Sequence, residues 1–190
     1  VWLEDPLDSS YPPSIAFKAA QLQDEKKAIV FLRNMREMVF LQKKNITKWE
    51  VLKQAAIKAG LDSEKLKQDY EGIGKELFQA DLSLAKKMGV RGFPSIFVTN
   101  SAGDSEFIYG TKPYSAYETG INKIYPKTVK ITYAKNWESL FHKYPTLTLR
   151  EFSELAEVSF KEAEETLEKL VAENKLKKFN TKNGAIWIKE

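Results

Sequence analysis

Gly89-Val90-Arg91-Gly92-Phe93-Pro94-Ser95-Ile96-Phe97-Val98 is the stretch that decides how this chain is read. Ahead of it, Ile73, Leu77, Leu84, Ala85 and Met88 give one apolar helical face, and Gly89 suits the left-handed position just past a helix end. A short loop follows, and a β-rich run starts directly after the proline. X-Pro bonds cost only about 0.5–1 kcal/mol in the cis form, so tertiary context can lock that isomer here. Ser95 to Thr99 reads as a strand, Asn100-Ser101-Ala102-Gly103 as a turn, and Glu106 to Tyr109 as the returning strand. Gly110-Thr111-Lys112-Pro113 opens a last helix, with Tyr114, Tyr117, Ile121 and Ile124 on one face.

Upstream the pattern is helical. Ser9 and Ser10 precede Tyr11-Pro12-Pro13, and prolines suit a first helical turn, so a helix is expected to about Gln23. Lys26 to Lys44 reads as a second helix, with Ile29, Leu32, Met35 and Val39 at helical spacing. Phe31, Met38 and Phe40 widen its apolar surface, which favours core packing over an adaptable methionine-rich face. Thr47-Lys48-Trp49-Glu50 has the form of a capping box, Gly60 suits a helix end, and Asp62 suits the next cap. Gly72-Ile73-Gly74-Lys75 has a faint phosphate-loop outline, but no strand precedes it and the spacing is wrong, so it reads as a helix junction.

Beyond Tyr125, Pro126-Lys127-Thr128-Val129-Lys130-Ile131-Thr132-Tyr133 alternates β-branched residues with lysine and reads as a linker or an edge strand over 126–135. Asn136 starts a short helix. Thr148-Leu149-Arg150-Glu151 and Ser159-Phe160-Lys161-Glu162 are two capping boxes, joined near Val158 as a helix-turn-helix. Leu176 to Thr181, an Asn183-Gly184 turn and Ala185 to Lys189 form a hairpin. Three helices and a hairpin wing over 136–190 make a winged helix. Alternation sends Ile186 and Ile188 toward Leu167 and Leu170, and leaves Trp187 partly exposed or over the domain junction.

Composition narrows the chemistry. The 190 residues suit one or two domains, and 43% hydrophobic content suffices for ordinary cores. The net charge of +4 is a weak argument for nucleic acid. No run of apolar residues is long enough to span a bilayer, and no secretory leader is visible. There is no cysteine, which removes thiolate nucleophiles, disulfides and thiolate metal sites. His142 is the one histidine and reads as a surface or packing residue, so no catalytic residue, metal site or cofactor is expected. The chain begins at Val1, which reads as a processed or trimmed product.

The layout of helix end, loop, Phe93-Pro94 and strand resembles the cis-proline loop of the thioredoxin superfamily, and it implies a cis bond there. Further residues extend the resemblance to nearly the whole chain: Val1-Trp2-Leu3-Glu4-Asp5-Pro6, Ile15-Ala16-Phe17-Lys18-Ala19-Ala20, Phe31-Leu32-Arg33-Asn34-Met35-Arg36-Glu37, Gly60-Leu61-Asp62 and the terminal winged helix. Together they are similar to the YjbH/SpxH-type adapters of the ClpXP protease, DsbA-related proteins of the FrnE-like branch. The resemblance implies an α+β or α/β chain in two parts. Residues 1–125 would be a partial DsbA-like thioredoxin-superfamily fold with a helical insertion, and 136–190 the winged helix. It also implies a thioredoxin-like transcription regulator and ClpXP as protein partners, and a cytoplasmic setting. The chain departs from the family in one respect: the strand, Cys-x-x-C helix and second strand that begin a DsbA-like domain are not found ahead of Val1. The chain therefore reads as a fragment, or as one that gains the missing layer from another chain, a second copy covering the exposed sheet edge included.

Three functions follow. As an adapter, the chain would dock its partner at Arg91, Gly92, Phe93 and Pro94, with Lys177, Lys178, Lys182 and Trp187 as wing contacts. As a thiol–disulfide oxidoreductase or isomerase it would need cysteines from an upstream segment, because a proline cannot replace the attacking thiolate. As a DNA-binding regulator it would use the helix from Phe160 to Glu173. That helix carries five glutamates against two lysines, a charge that opposes phosphate contact. The adapter reading comes first, and DNA is the least favoured partner.

Overall fold

Helices account for most of the ordered backbone, and their ends show why they form where they do. The computed structural model describes residues 4–182 and 184–189. In chain order the elements are α1 (Tyr11–Gln23), α2 (Glu25–Phe40), α3 (Trp49–Lys58), α4 (Ser63–Glu71), α5 (Ile73–Lys87), β1 (Ser95–Thr99), β2 (Ser105–Tyr109) and α6 (Tyr114–Ile124). They continue with α7 (Trp137–Lys143), β3 (Thr146–Thr148), α8 (Leu149–Ala156), α9 (Phe160–Ala172), β4 (Lys177–Thr181) and β5 (Gly184–Ile188). The chain divides into two compact units, Val1–Phe78 with Tyr133–Glu190, and Gln79–Thr132.

In the first unit α1 to α4 enclose a core of Ala16, Ala19, Ala20, Phe31, Met35, Leu52, Ala55, Ala56 and Leu66. The alanines let helices approach closely, and the buried methionines are packing residues. Buried Asn34 is satisfied by donating to the Ala55 carbonyl at 3.1 Å. The end of α3 is a Schellman motif: Gly60 has φ +72°, the Leu61 amide reaches the Ala56 carbonyl at 3.0 Å, and the Gly60 amide reaches Ile57. Asp62 caps α4 by accepting from the Glu64 and Lys65 amides. Gly74 lies in the first turn of α5 where no side chain fits, since a Cβ there would lie 2.8 Å from the Asp69 carbonyl oxygen. The Gly72–Gly74 region is thus a helix junction.

Two local expectations fail for identifiable reasons. The Thr47 hydroxyl donates to Asn45 Oδ1 at 2.6 Å, so no capping box forms and Lys48 becomes the N-cap of α3. The second helix stops at Phe40, short of Lys44. The Gln42 amide reaches back to the Glu37 carbonyl, and Lys43 turns left-handed at φ +56°.

The C-terminal part of the same unit carries both expected capping boxes, Thr148 with Glu151 and Ser159 with Glu162. The step between α8 and α9 passes through left-handed Glu157, and the Ser153 hydroxyl donates to the Val158 carbonyl at 2.8 Å. The order helix, strand, helix, helix, hairpin ends in a three-stranded antiparallel sheet, β3-β5-β4. Residues 126–135 form no strand.

Trp187 corrects the register drawn from the sequence. It is only 2% exposed and belongs to the core with Leu140, Leu147, Phe152, Leu167 and Leu170. Strand β3, too short to stand out in the sequence, makes β5 the central strand, with Leu147 and Lys178 both opposite Trp187. Ile186 and Ile188 face the other way, beside Thr148 and Thr146. Ile186 is buried there all the same.

That second face meets α2 through Arg33. Its guanidinium donates to both carboxylate oxygens of Glu151, to Glu37 Oε1 at 2.7 Å and to the Thr146 carbonyl at 3.2 Å. The pairing with Glu151 raises Arg33 against the opposing effect of burial. Burial pushes the Glu151 carboxyl up, but Arg33 and the Thr148 backbone and hydroxyl outweigh it and hold the group below its ordinary 4.5.

A carboxylate with a depressed pKa adds stability above its ordinary pKa and loses it as pH falls through the lower folded value. Glu151→Gln is expected to cost about 1 kcal/mol at pH 7, a modest figure for a carboxylate still 37% exposed. Denaturant melts should show that gap closing below pH 4.5, the group's ordinary pKa. Trp187→Ala is expected to cost about 3–5 kcal/mol in the same melts, the range for emptying a packed aromatic site.

Candidate partner-docking site

The unit Gln79–Thr132 is built on the hairpin β1–β2, paired from Ser95↔Tyr109 to Thr99↔Ser105. Asn100 holds its turn by accepting from the Ala102 and Asp104 amides, each at 3.0 Å. One face carries Ile96, Ile108, Val98 and Glu106, and α6 packs on it. Gly120 permits the approach, since a Cβ there would lie 2.9 Å from Ile108 Cδ1. Lys123 of α6 pairs with Glu106. The opposite face carries Phe97 and Phe107, stacked with ring centroids 4.7 Å apart, and Tyr109 at 6.1 Å from Phe107. Phe107 and Tyr109 are half exposed.

The Phe93-Pro94 bond is cis. The loop is fixed by the Ser95 hydroxyl donating to the Gly92 carbonyl at 2.7 Å and by the Gly110 amide donating to the Pro94 carbonyl at 2.9 Å. Phe93 is 90% exposed, and Arg91 and Pro94 are exposed beside it. Gly92 lies against Tyr109: a Cβ there would meet the tyrosine hydroxyl at 2.6 Å, so the ring would have to shift. The four residues singled out in the loop therefore lie together, next to an open aromatic face. Sequence spacing marks Phe107 and Tyr109 only as strand residues; their place opposite Phe97 and Ser95 in the hairpin register is the signal that joins them to the loop.

Hydrogen bonding also fixes which way β1 points its backbone. Pro94 pairs with Gly110 and Asn100 with Asp104. Alternation then turns the amide and carbonyl groups of Ser95 and Phe97 away from β2. The outward carbonyl of Thr99 accepts from the Tyr125 hydroxyl. Among the described residues no second strand lies beside β1.

The wing residues do not form a comparable site. Trp187 is buried, as described, and cannot serve as an aromatic contact. Lys178 pairs with Glu168 at 2.7 Å and lies over the Trp187 ring. Lys177 and Lys182 are exposed, whereas Asn183 lies outside the described residues. His142 is a surface residue. Among the described residues no group of three or more His, Asp or Glu is placed to hold a metal ion, and no helix is long and apolar enough to cross a membrane.

A hairpin entered through a cis-proline and closed by a helix is the second half of a thioredoxin-like domain. The chain belongs to the thioredoxin family, which matches it over residues 1–119. Its similarity to curated proteins extends through the C-terminal part. The ClpXP adapter protein SpxH of Halalkalibacterium halodurans is 35% identical over 98% of this chain, and that of Bacillus subtilis 31% over 98%. The chain spans 62% and 64% of the length of those two relatives. A solved structure of a putative protein disulfide isomerase from Nitrosomonas europaea superposes with a TM-score of 0.56 at 17% identity. It covers 62% of this chain and 58% of its own, a likeness of fold.

Contact between Gly92 and Tyr109 makes a pairwise prediction. Gly92→Ala should displace the tyrosine ring and lower the melting temperature, and Tyr109→Phe, which removes the colliding oxygen, should restore most of the loss. A double-mutant cycle by thermal denaturation measures it, with a coupling of about 0.5–3 kcal/mol expected for residues in contact.

Proposed function

We propose that this chain is the partner-docking part of a protein-binding adapter, of the kind that presents a thioredoxin-like transcription regulator to the ClpXP protease. The observation that carries the reading is an exposed cis-proline loop on an open aromatic hairpin face, in a chain with no cysteine. Such a surface holds a peptide but cannot exchange a disulfide with it. The relatives named as ClpXP adapters support the same reading. We assign the docking role to the DsbA-like part, residues 1–125. Residues 126–135 act as a linker, and 136–190 as a winged helix used for packing or protein contact, all in a cytoplasmic setting. Self-association along β1 is the competing use of the same surface.

A DNA-binding role is disfavoured by the glutamates of α9. Glu162 is tied to Ser159, and Glu168 pairs with Lys178, which neutralises a wing cation. Thiol–disulfide exchange would require a thiol from outside this sequence.

The test is a degradation assay with the regulator, ClpXP and increasing amounts of this chain. Regulator binding with faster degradation fits the reading; neither, across the titration, contradicts it. Phe93→Ala is expected to weaken regulator binding about tenfold or more, as for an exposed aromatic anchor. Calorimetry measures the loss, and blocking the regulator's own thiols should leave the difference between the two chains unchanged.

A further inference from the structure

The two cores of the larger unit have no residue in common. Ala16, Phe31, Leu52 and Leu66 belong to one, and Leu140, Phe152, Leu167 and Trp187 to the other. The chain does not pass directly between them either, because residues 79–132 of the second unit intervene in sequence. They meet where the α2 face with Arg33 and Glu37 lies against the second face of the three-stranded sheet, and the centre of that junction is polar. Arg33 grips Glu151 and the Thr146 carbonyl, and the Thr146 hydroxyl donates to Glu37 Oε1. Ile186 is buried on the sheet side and belongs to neither core. Val30, one turn before Arg33, and Phe179, paired with Ile186 across the sheet, are both half exposed, so apolar packing does not seal the contact.

From this we infer that the Arg33 cluster is a releasable latch, and that residues 136–190 leave α2 and return to it as one folded body. The charges decide between a permanent joint and a latch. Separating a buried ion pair is costly when a charge is left buried without its partner. Here parting the faces brings the charges into water, and each keeps a partner of its own. Arg33 stays beside Glu37, four residues on in the same helix at 2.7 Å, and Glu151 stays in the capping box with Thr148. Glu37, whose side chain is 10% exposed in the closed form, also has Lys58 4.0 Å away.

The winged helix loses nothing of its own fold when it leaves. Its core, both capping boxes and all three strands come from residues 137–188, and none of them is supplied by α2. Ile186 favours the closed form, since opening uncovers it. The device does not depend on where a partner docks. It lets the winged helix take more than one position against the bundle α1–α4.

Because the chain has no cysteine, two introduced thiols report the separation cleanly. Gln68→Cys on α4 and Glu164→Cys on α9 are exposed positions, one in each body, and carry the dyes for single-molecule energy transfer. The labelled 190-residue chain should show a dominant closed population and a minor one of lower transfer. Glu151→Gln, which keeps a side chain suited to a capping box, and Arg33→Met should each raise the minor population about fivefold or more. Salt raised from about 0.05 M to about 0.5 M should also raise it in the parent, and much less in Arg33→Met. Amide exchange at Leu167 and Leu170 should stay slow throughout. A single transfer efficiency that neither salt nor either variant changes would overturn the inference. So would lost protection at Leu167 and Leu170 in Glu151→Gln, since the contact would then belong to the fold of the winged helix itself. Should Arg33→Met fail to fold, Glu151→Gln and the salt series decide.

Discussion

Arg33 joins the two cores of the larger unit. One guanidinium on α2 reaches a carboxylate on α8, a carbonyl and hydroxyl on β3, and a carboxylate on its own helix. A half-buried cation is costly unless its donors are used, and here they are spread over groups from both cores. Glu151 has two roles, completing the Thr148 capping box and receiving Arg33. The start of α8 and its attachment to α2 therefore depend on a single carboxylate. The arrangement also accounts for the buried second face of the three-stranded sheet, where Thr146 and Ile186 lie.

The smaller unit follows a different rule. It has a hairpin with one face covered by α6 and the other left aromatic and open. Close approaches of Gly92 to Tyr109 and of Gly120 to Ile108, and the Ser95 hydroxyl bonded to the Gly92 carbonyl, help to hold it. Phe93, Phe107 and Tyr109 stay exposed on that side of the hairpin. In the same unit Leu84 of α5 and Met88 just beyond it remain exposed, although their spacing predicts a packed face.

Much of this was legible in the residues. Gly60, Asp62, the prolines at the start of α1 and both capping boxes of the C-terminal part specify their turns locally, so the sequence reveals them. The cis-proline loop was legible for the same reason, as a short punctuated segment between two periodic ones. What escaped depends on tertiary contacts. Strand β3 is three residues long and exists because β5 lies beside it. Without β3 the wing looks two-stranded with one buried face, which is why Trp187 was turned outward. Thr47 looks like a cap until Asn45 takes its hydroxyl. The Arg33 network joins residues more than a hundred positions apart, and no local pattern announces it. The aromatic face needed the hairpin register before Phe107 and Tyr109 could be placed near Phe93.

The claim at the centre of this account is our proposal that a protein partner is held at the cis-proline end of the hairpin. Amide hydrogen exchange, measured on the chain alone and saturated with the regulator, tests it most directly. The account predicts slowed exchange at Ser95, Phe97 and the Phe93 loop, with little change from Phe160 to Lys189. Protection confined to α9 and the wing, with the amides of Ser95 and Phe97 exchanging as in the free chain, would contradict it.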